Sequence, residues 1–289
     1  MIYIIISMII WGSIGLFIRW INMSSIEIAF LRAGIAACFL LFYSFFYKKI
    51  DMKKIKENII LLILAGAAVA FNWIMLFQAY RFTSIATATI CYYFAPVIVV
   101  LLSPFVLKEK MTLVKIFSIF LSMTGLFIMM YYSPENVGRG SNNLLGILFG
   151  LLAAVFYALV VVLTKKMKDI ESFEITCIEI FVAALVLLPF VLYHPQLHIK
   201  NIQTGIIVCI LGLIHTGLAY ILYFKGIRQV KAQNAALLSY IDPLSAICFS
   251  TVFLGEIPNK AQVIGALFIF MASFIHEIKI KNPQIKQKA

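Results

Sequence analysis

Runs of roughly twenty apolar residues recur along this chain with few charges between them. Such a run is long enough to cross a hydrocarbon layer as a helix. Only 12% of the 289 residues are charged, about half the share of a soluble globular protein, which is about 25%. A chain this poor in charge cannot cover a water-facing surface, so lipid must be its solvent. Inside lipid every backbone polar group needs an internal partner, which leaves helices as the natural spanning element. The fold class expected is therefore an all-α polytopic membrane protein. The five cysteines fall inside apolar stretches and read as small core hydrophobes.

Ten spans are expected, near 2–20, 26–46, 58–79, 85–107, 112–131, 144–164, 172–192, 204–224, 233–254 and 260–278. The apolar run starts directly after Met1 without a small-residue cleavage site, so it reads as the first span. The stretch 133–143 is rich in turn formers and reads as a linker. It divides the chain into a first half at 1–132 and a second at 144–279, followed by a basic tail at 280–289. With the N-terminus placed in the cytoplasm, eighteen Lys and Arg fall on the cytoplasmic side and five on the other, with Arg32 inside a span. Insertion favours that asymmetry. It also accounts for the net charge of +12 without a nucleic-acid partner.

The two halves repeat one another. Residues 77–126 align with 224–273 at a constant offset of 147, with eight of fifty positions identical. Phe77 meets Phe224, Tyr93 meets Tyr240, Pro96 meets Pro243 and Glu109 meets Glu256. The same register holds upstream, where Glu27-Ile28 meets Glu174-Ile175. Five spans is an odd number, so the second copy must enter the membrane upside down. Two inverted halves place a shared cavity at mid-membrane that can open to either side in turn.

These residues support a family resemblance. Trp11-Gly12-Ser13, Arg32, Phe77-Gln78-Ala79-Tyr80, Thr87-Ala88, Ala95-Pro96 and Lys108-Glu109-Lys110 resemble the pattern of the EamA branch of the drug/metabolite transporter superfamily. The second copy carries Phe224-Lys225-Gly226, Asn234-Ala235, Asp242-Pro243 and Gly255-Glu256. Two departures stand out: Lys108 replaces the Gly often found before the Glu, and Tyr157-Ala158 replaces Trp11-Gly12 in the second copy. The resemblance implies a ten-helix inner-membrane carrier of small metabolites, often an exporter, and no single solute.

Candidate working residues follow from what lipid tolerates. Pro96 and Pro243 fall near the middle of spans four and nine, where proline removes a backbone donor and bends the helix. They are expected as paired hinges beside the solute path; the plain alternative is a static kink. Asp242 places a carboxylate near mid-membrane, at a cost of at least about 2.5 kcal/mol, and such groups face the bundle interior. It suits a proton carrier or a counter-ion for a cationic solute, and equally a structural aspartate at the bend. Arg32 and Glu179 occupy matched positions with opposite charge. They either pair across the two halves or line the cavity separately. His215, midway along span eight, is a candidate proton relay, although a lone helical histidine is more often a packing residue. Trp11 with Tyr157, Trp73 with Tyr220 and Tyr93 with Tyr240 recur at paired positions, Tyr92 adjoins Tyr93, and all seven are expected to line a cavity for aromatic or cationic solutes. Helix packing or an interfacial belt is the competing role.

The chain has no phosphate-binding Gly-rich loop, no HExxH, no GxSxG and no Cys/His metal spacing. No catalytic role, cofactor or metal is therefore expected. The leading expectation is a gradient-driven carrier, with a small metabolite, the bilayer and protons as partners, in the cytoplasmic membrane with both termini inside. Amino acids and amphipathic amines head the solute classes. An intramembrane enzyme using Asp242 and His215 as acid and base, and a non-transporting receptor or scaffold, are the alternatives.

Overall fold

The structure, a computed structural model, describes residues 1–18, 20–21, 23–46, 50–83, 85–131, 143–193, 199, 201–255 and 260–281. Most of the linker expected at 133–143 and of the tail expected at 280–289 lies outside them, as do Arg19, Arg139, His194, His198 and Glu256. Every element among the described residues is helical. The first half comprises α1 (Ile2–Gly12), α2 (Ile14–Ile18), α3 (Ser25–Phe46), α4 (Met52–Phe82), α5 (Ile85–Tyr92), α6 (Ala95–Val106) and α7 (Leu113–Tyr131). The second comprises α8 (Asn143–Lys166), α9 (Ser172–Tyr193), α10 (Ile202–Gly212), a π-helical turn (Leu213–Leu218), α11 (Ala219–Gln229), α12 (Ala232–Leu238), α13 (Ile241–Leu254) and α14 (Lys260–Lys281).

Among the described residues, six stretches are long and apolar enough to cross a bilayer: Ile26–Phe46, Met52–Ala79, Leu144–Lys166, Ser172–Tyr193, Ile202–Gln229 and Ala232–Phe253. Shorter apolar helices cover Ile2–Ile18, Ala95–Val106, Leu113–Ile128 and Val263–Ala272. The outer surface is apolar as well: Phe45, Phe105 and Leu113 are 80%, 85% and 84% exposed. Large side chains of this kind on an outer face fit contact with acyl chains and do not fit water.

Helix ends show why the elements start and stop where they do. Asp51 opens α4 by accepting the Lys53 and Lys54 amides at 3.0 and 3.4 Å, satisfying donors that have no partner within the helix. Glu27 reaches back to the Ser24 amide at 2.7 Å, and Glu174 to the Glu171 amide at 2.9 Å. These are the same N-terminal device in the two halves. The C-terminal ends also match. Gly255 follows α13 at φ 67°, and Lys108 follows α6 at φ 55°. A left-handed residue lets the chain turn back, and the Glu109 amide does so by reaching the Ser103 carbonyl at 3.2 Å.

Four of the expected spans are interrupted. The first breaks at Ser13, the fourth at Tyr93-Phe94 and the ninth at Ser239-Tyr240, while the eighth contains the π-helical turn. Pro96 follows the second of these breaks and occupies the first turn of α6, where its missing N–H costs nothing. Pro243 stands at the equivalent point of α13. The long helix α4 packs on α8 and α9, α3 packs on α9 and α10, and α1 on α11 and α13. α6 packs on α8 and α12, and α7 on α14. The broken segments of α5, α12 and α13 are thereby brought to the centre, against α1 and α8.

Lys108 occupies a backbone conformation that costs an L-residue with a Cβ roughly 1 kcal/mol or more and glycine almost nothing. Lys108→Gly should therefore raise the unfolding midpoint of the detergent-solubilised protein by the equivalent of about 1 kcal/mol. The β-branched Lys108→Val should lower it.

Candidate functional site

The central cavity has a volume of about 310 Å³ and draws its walls from both halves. α1 and α2 contribute Trp11, Ile14 and Ile18; α3 contributes Ile28 and Arg32; α4 contributes Asn72, Trp73 and Phe77. Tyr92 and Tyr93 come from the first helix break. The second half supplies Tyr157, Tyr220, Tyr223 and Asp242. A void of about 20 Å³ adjoins it, bounded by Tyr93, Pro96, Ser239 and Asp242. The cavity reaches Met23, in the connection between α2 and α3. It therefore approaches the end of the bundle opposite the N-terminus.

Eight of the nineteen lining residues are aromatic, and all but Phe77 combine an apolar face with a hydrogen-bonding tip. Trp11 lies with its ring 5.0 Å from those of both Tyr220 and Tyr223. Its indole N–H donates to the His215 carbonyl at 2.9 Å, an acceptor within the π-helical turn. The Tyr157 and Tyr223 hydroxyls are 2.5 Å apart, and Tyr157 also meets the Ser239 hydroxyl at 3.0 Å. These contacts fix the phenols of α8 and α11 to the break between α12 and α13.

Two residues of the charged types, Arg32 and Asp242, face this space. The Arg32 guanidinium lies 5.3 Å from the centre of the Trp73 ring, within cation–π range. Its Nε donates to the Thr216 hydroxyl at 3.0 Å, and Thr216 in turn donates to the Leu211 carbonyl at 2.9 Å. The Asp242 carboxyl accepts the Tyr93 hydroxyl at 2.9 Å. Tyr240, from the other break, donates to the Tyr93 carbonyl at 3.3 Å. The two interrupted helices are thus tied through Tyr93: its side chain holds Asp242 and its backbone is held by Tyr240.

The remaining expected residues lie behind the wall. Tyr240 is fully buried, its ring 6.3 Å from that of Tyr93. His215 is buried, with Nε2 2.9 Å from the Ser13 hydroxyl and its ring 4.9 Å from Phe17; it is not on the cavity wall. Glu179 is fully buried on α9; Thr164 donates to its Oε1 at 3.4 Å, and its Oε2 has no partner. Among the described residues no ion pair joins it to Arg32. Three polar lining residues, Tyr223, Asn72 and Thr89, were not among the expected site residues. Tyr223 lies one turn beyond Tyr220, a spacing that could have exposed it. Asn72 is buried and donates to the Ala153 carbonyl at 2.7 Å, and Thr89 lies one turn before Tyr93. Neither has a pattern in sequence to single it out.

The end of the bundle away from this cavity is held by polar cross-links. The Glu109 carboxylate accepts the Ala232 and Gln233 amides at 2.7 and 3.3 Å. Lys115 bonds the Gln233 side chain, which donates to the Ser103 hydroxyl at 2.6 Å. Glu174 Oε1 accepts the Asp51 amide at 2.8 Å, and Asn58 donates to the Lys168 carbonyl at 3.0 Å.

Comparison with known proteins gives one consistent result. The EamA-like transporter family model matches residues 1–131 and again 144–276. An uncharacterized transporter of Bacillus subtilis, YxxF, is 32% identical over 92% of this chain and 85% of its own length. An uncharacterized transporter of Archaeoglobus fulgidus is 26% identical over 94% of both chains. An uncharacterized inner membrane transporter of Salmonella typhimurium, YicL, is 24% identical over 93% of this chain and 92% of its own. One solved crystal structure shares the fold with a TM-score of 0.84 at 16% identity, covering 97% of this chain and 98% of the other.

The Tyr93–Asp242 contact should show in a double-mutant cycle. Tyr93→Phe is expected to cost about 1–3 kcal/mol of unfolding stability in the wild-type background, the range for a lost buried hydrogen bond. In an Asp242→Ala background it should cost much less. Additive losses would mean that the two side chains act independently.

Proposed function

Because the chain belongs to the EamA-like transporter family and is a multi-pass membrane transporter, we propose that it moves a small amphipathic solute with an amine and a carboxylate by alternating access. The solute class is that of amino acids and related amines, and export is the favoured direction. The observation that carries this reading is the aromatic cavity itself. It offers Arg32 for a carboxylate and Asp242 with aromatic faces for an ammonium group. The Asp242–Tyr93 contact is the point at which solute or proton binding acts on both helix breaks.

Ten spans in two inverted halves best account for the packing. Exchanging matched elements turns the α4–α8 pair into α11–α1, and α4–α9 into α10–α3; both members of each exchange are present. Individual crossings repeat too. Gly66 lies against the backbone of Glu179 and the side chain of Val182, and Gly212 against Ile35 and the Arg32 carbonyl. A Cβ on Gly66 would come within 2.7 Å of those atoms, and one on Gly212 within 2.7 Å of Ile35. Both crossings therefore need glycine. The polar locks differ between the ends. Glu174 uses one oxygen on its own helix and the other across the halves. Its counterpart Glu27 caps its own helix while its Oε1 is buried without a partner. One latch engaged and one idle fits a carrier open at the Met23 end, taken as the outer side with the N-terminus cytoplasmic.

His215 and Asp242 do not share a cavity wall, so the acid–base pairing an intramembrane enzyme would need gains no support from the geometry.

Purified protein in proteoliposomes should show saturable flux of labelled amino acids or amines with no chemical change in the solute. Arg32→Gln is expected to reduce flux of carboxylate-bearing solutes about tenfold or more, the size expected for losing a charged hydrogen bond. Asp242→Asn should abolish the pH dependence of flux; unchanged pH dependence would remove Asp242 from coupling. Glu174→Gln should loosen the closed end and speed thiol labelling of Ile175→Cys in a cysteine-free chain. Glu27→Gln should not.

A further inference from the structure

We propose that alternating access exchanges the sign of the fixed charge facing the solute: Arg32 faces it when the Met23 end is open, and Glu179 when the opposite end is open. The inference rests on the inverted-repeat reading and adds a second, differently charged binding face to it.

Ile28, Arg32 and Tyr93 line the present cavity. At the offset of 147 their counterparts are Ile175, Glu179 and Tyr240. At 146, the offset relating Gly66 to Gly212, the cavity residue Ile18 matches Thr164. None of these four counterparts lines the cavity, and each is 0% exposed. If the second half takes up the shape now held by the first, the same rotation that hides Ile28 and Arg32 uncovers Ile175 and Glu179.

Glu179 is built for a partner it lacks here. Its Oε2 is fully buried with no hydrogen bond, and its other oxygen has only a long contact from Thr164. Arg32, in contrast, has both Thr216 and the Trp73 face. The residue matching Thr216 in the first half is Val69 at the 147 offset and Ala70 at 146, and neither side chain offers a hydrogen bond. Glu179 therefore cannot reproduce the closed arrangement of Arg32, and a buried acceptor without a partner is destabilising. Water or a solute ammonium group reaching it from the opened end would satisfy it. The matched aromatic supports, Trp73 and Tyr220, are already adjacent with ring centres 6.2 Å apart. Tyr220 lies within electrostatic reach of both Arg32 and Glu179.

The consequence is that the two ends hold the solute differently. Arg32 attracts a solute carboxylate when the Met23 end is open, and Glu179 repels it when the opposite end is open, because like charges repel. The ammonium end keeps Asp242 throughout and gains Glu179 after the switch. The ligand class for the second face is thus an organic ammonium group.

Charged thiol reagents read this out without knowing the solute. In a cysteine-free full-length chain in proteoliposomes, Ile28→Cys and Ile175→Cys each place a thiol one helical turn before the charge in question. The probes are an anionic and a cationic methanethiosulfonate, with rates normalised to a free thiol. Ile28→Cys is expected to react about fivefold faster with the anionic reagent, the bias one unit charge a few ångströms away gives in water. Ile175→Cys is expected to react from the other side and to favour the cationic reagent by a similar factor. Arg32→Gln and Glu179→Gln should erase the two preferences respectively. Thr164→Cys, beside the Glu179 carboxyl, serves as the second variant if Ile175→Cys does not fold. Labelling of Ile175→Cys or Thr164→Cys without charge preference would overturn the exchange while leaving alternating access intact. No labelling of either from any side, with folded protein, would overturn both.

Discussion

In lipid, a backbone group released from a helix must find a partner inside the protein, and the centre of this molecule is organised around that requirement. The breaks at Tyr93-Phe94 and Ser239-Tyr240 and the π-helical turn at Leu213–Leu218 all release carbonyls at depth. Side chains meet three of the carbonyls at these sites: Tyr240 on the Tyr93 carbonyl and Trp11 on the His215 carbonyl from distant segments, and Thr216 on the Leu211 carbonyl locally. The donors are the same residues that build or back the cavity wall. Backbone satisfaction and solute binding therefore draw on one set of side chains, and the wall cannot rearrange without the breaks rearranging too.

That coupling explains why the polar content of the cavity is so small. Phenol and indole tips can be spent on carbonyls while the ring faces stay available for a solute. Charges are harder to place. Arg32 is tolerated because an aromatic face and a hydroxyl meet it, and Asp242 because Tyr93 does. Ser13 plays the same part for His215 outside the wall. The sequence places His215 in a helix without showing that the helix widens to a π turn there, so its neighbour Thr216 and not its imidazole meets Arg32.

The helical class and the apolar runs were legible because they depend on composition and period, which lipid enforces along the whole chain. The aromatic wall was legible in large part for the same reason: paired Trp and Tyr away from span ends have few other uses. Tyr240, Glu179 and His215 show the limit. Periodicity gives a residue's depth and its match at the 147 offset, but not which of the two matched residues reaches the cavity wall. Tyr93 and Tyr240 are the same residue by register, and only one is on the wall. Lys108 and Gly255 are a milder case. Both end a helix in the left-handed region, and the departure from glycine noted in sequence turns out to sit on a strained residue.

The same asymmetry bears on direction. A bundle with two equivalent halves would have two states of equal energy, and no end would be preferred. Here the halves differ where it matters: Thr216 against Val69, Arg32 against Glu179, and an engaged Glu174 against an idle Glu27 oxygen. The Arg32–Thr216 bond and the engaged Glu174 favour the conformation with the Met23 end open, because both are satisfied there. The idle Glu27 and Glu179 oxygens act the other way by leaving buried acceptors unmet. The balance between them sets the resting population, and a solute shifts it only by binding one face better than the other. Opposite charges on the two faces supply that difference for any solute whose own charges are not symmetric.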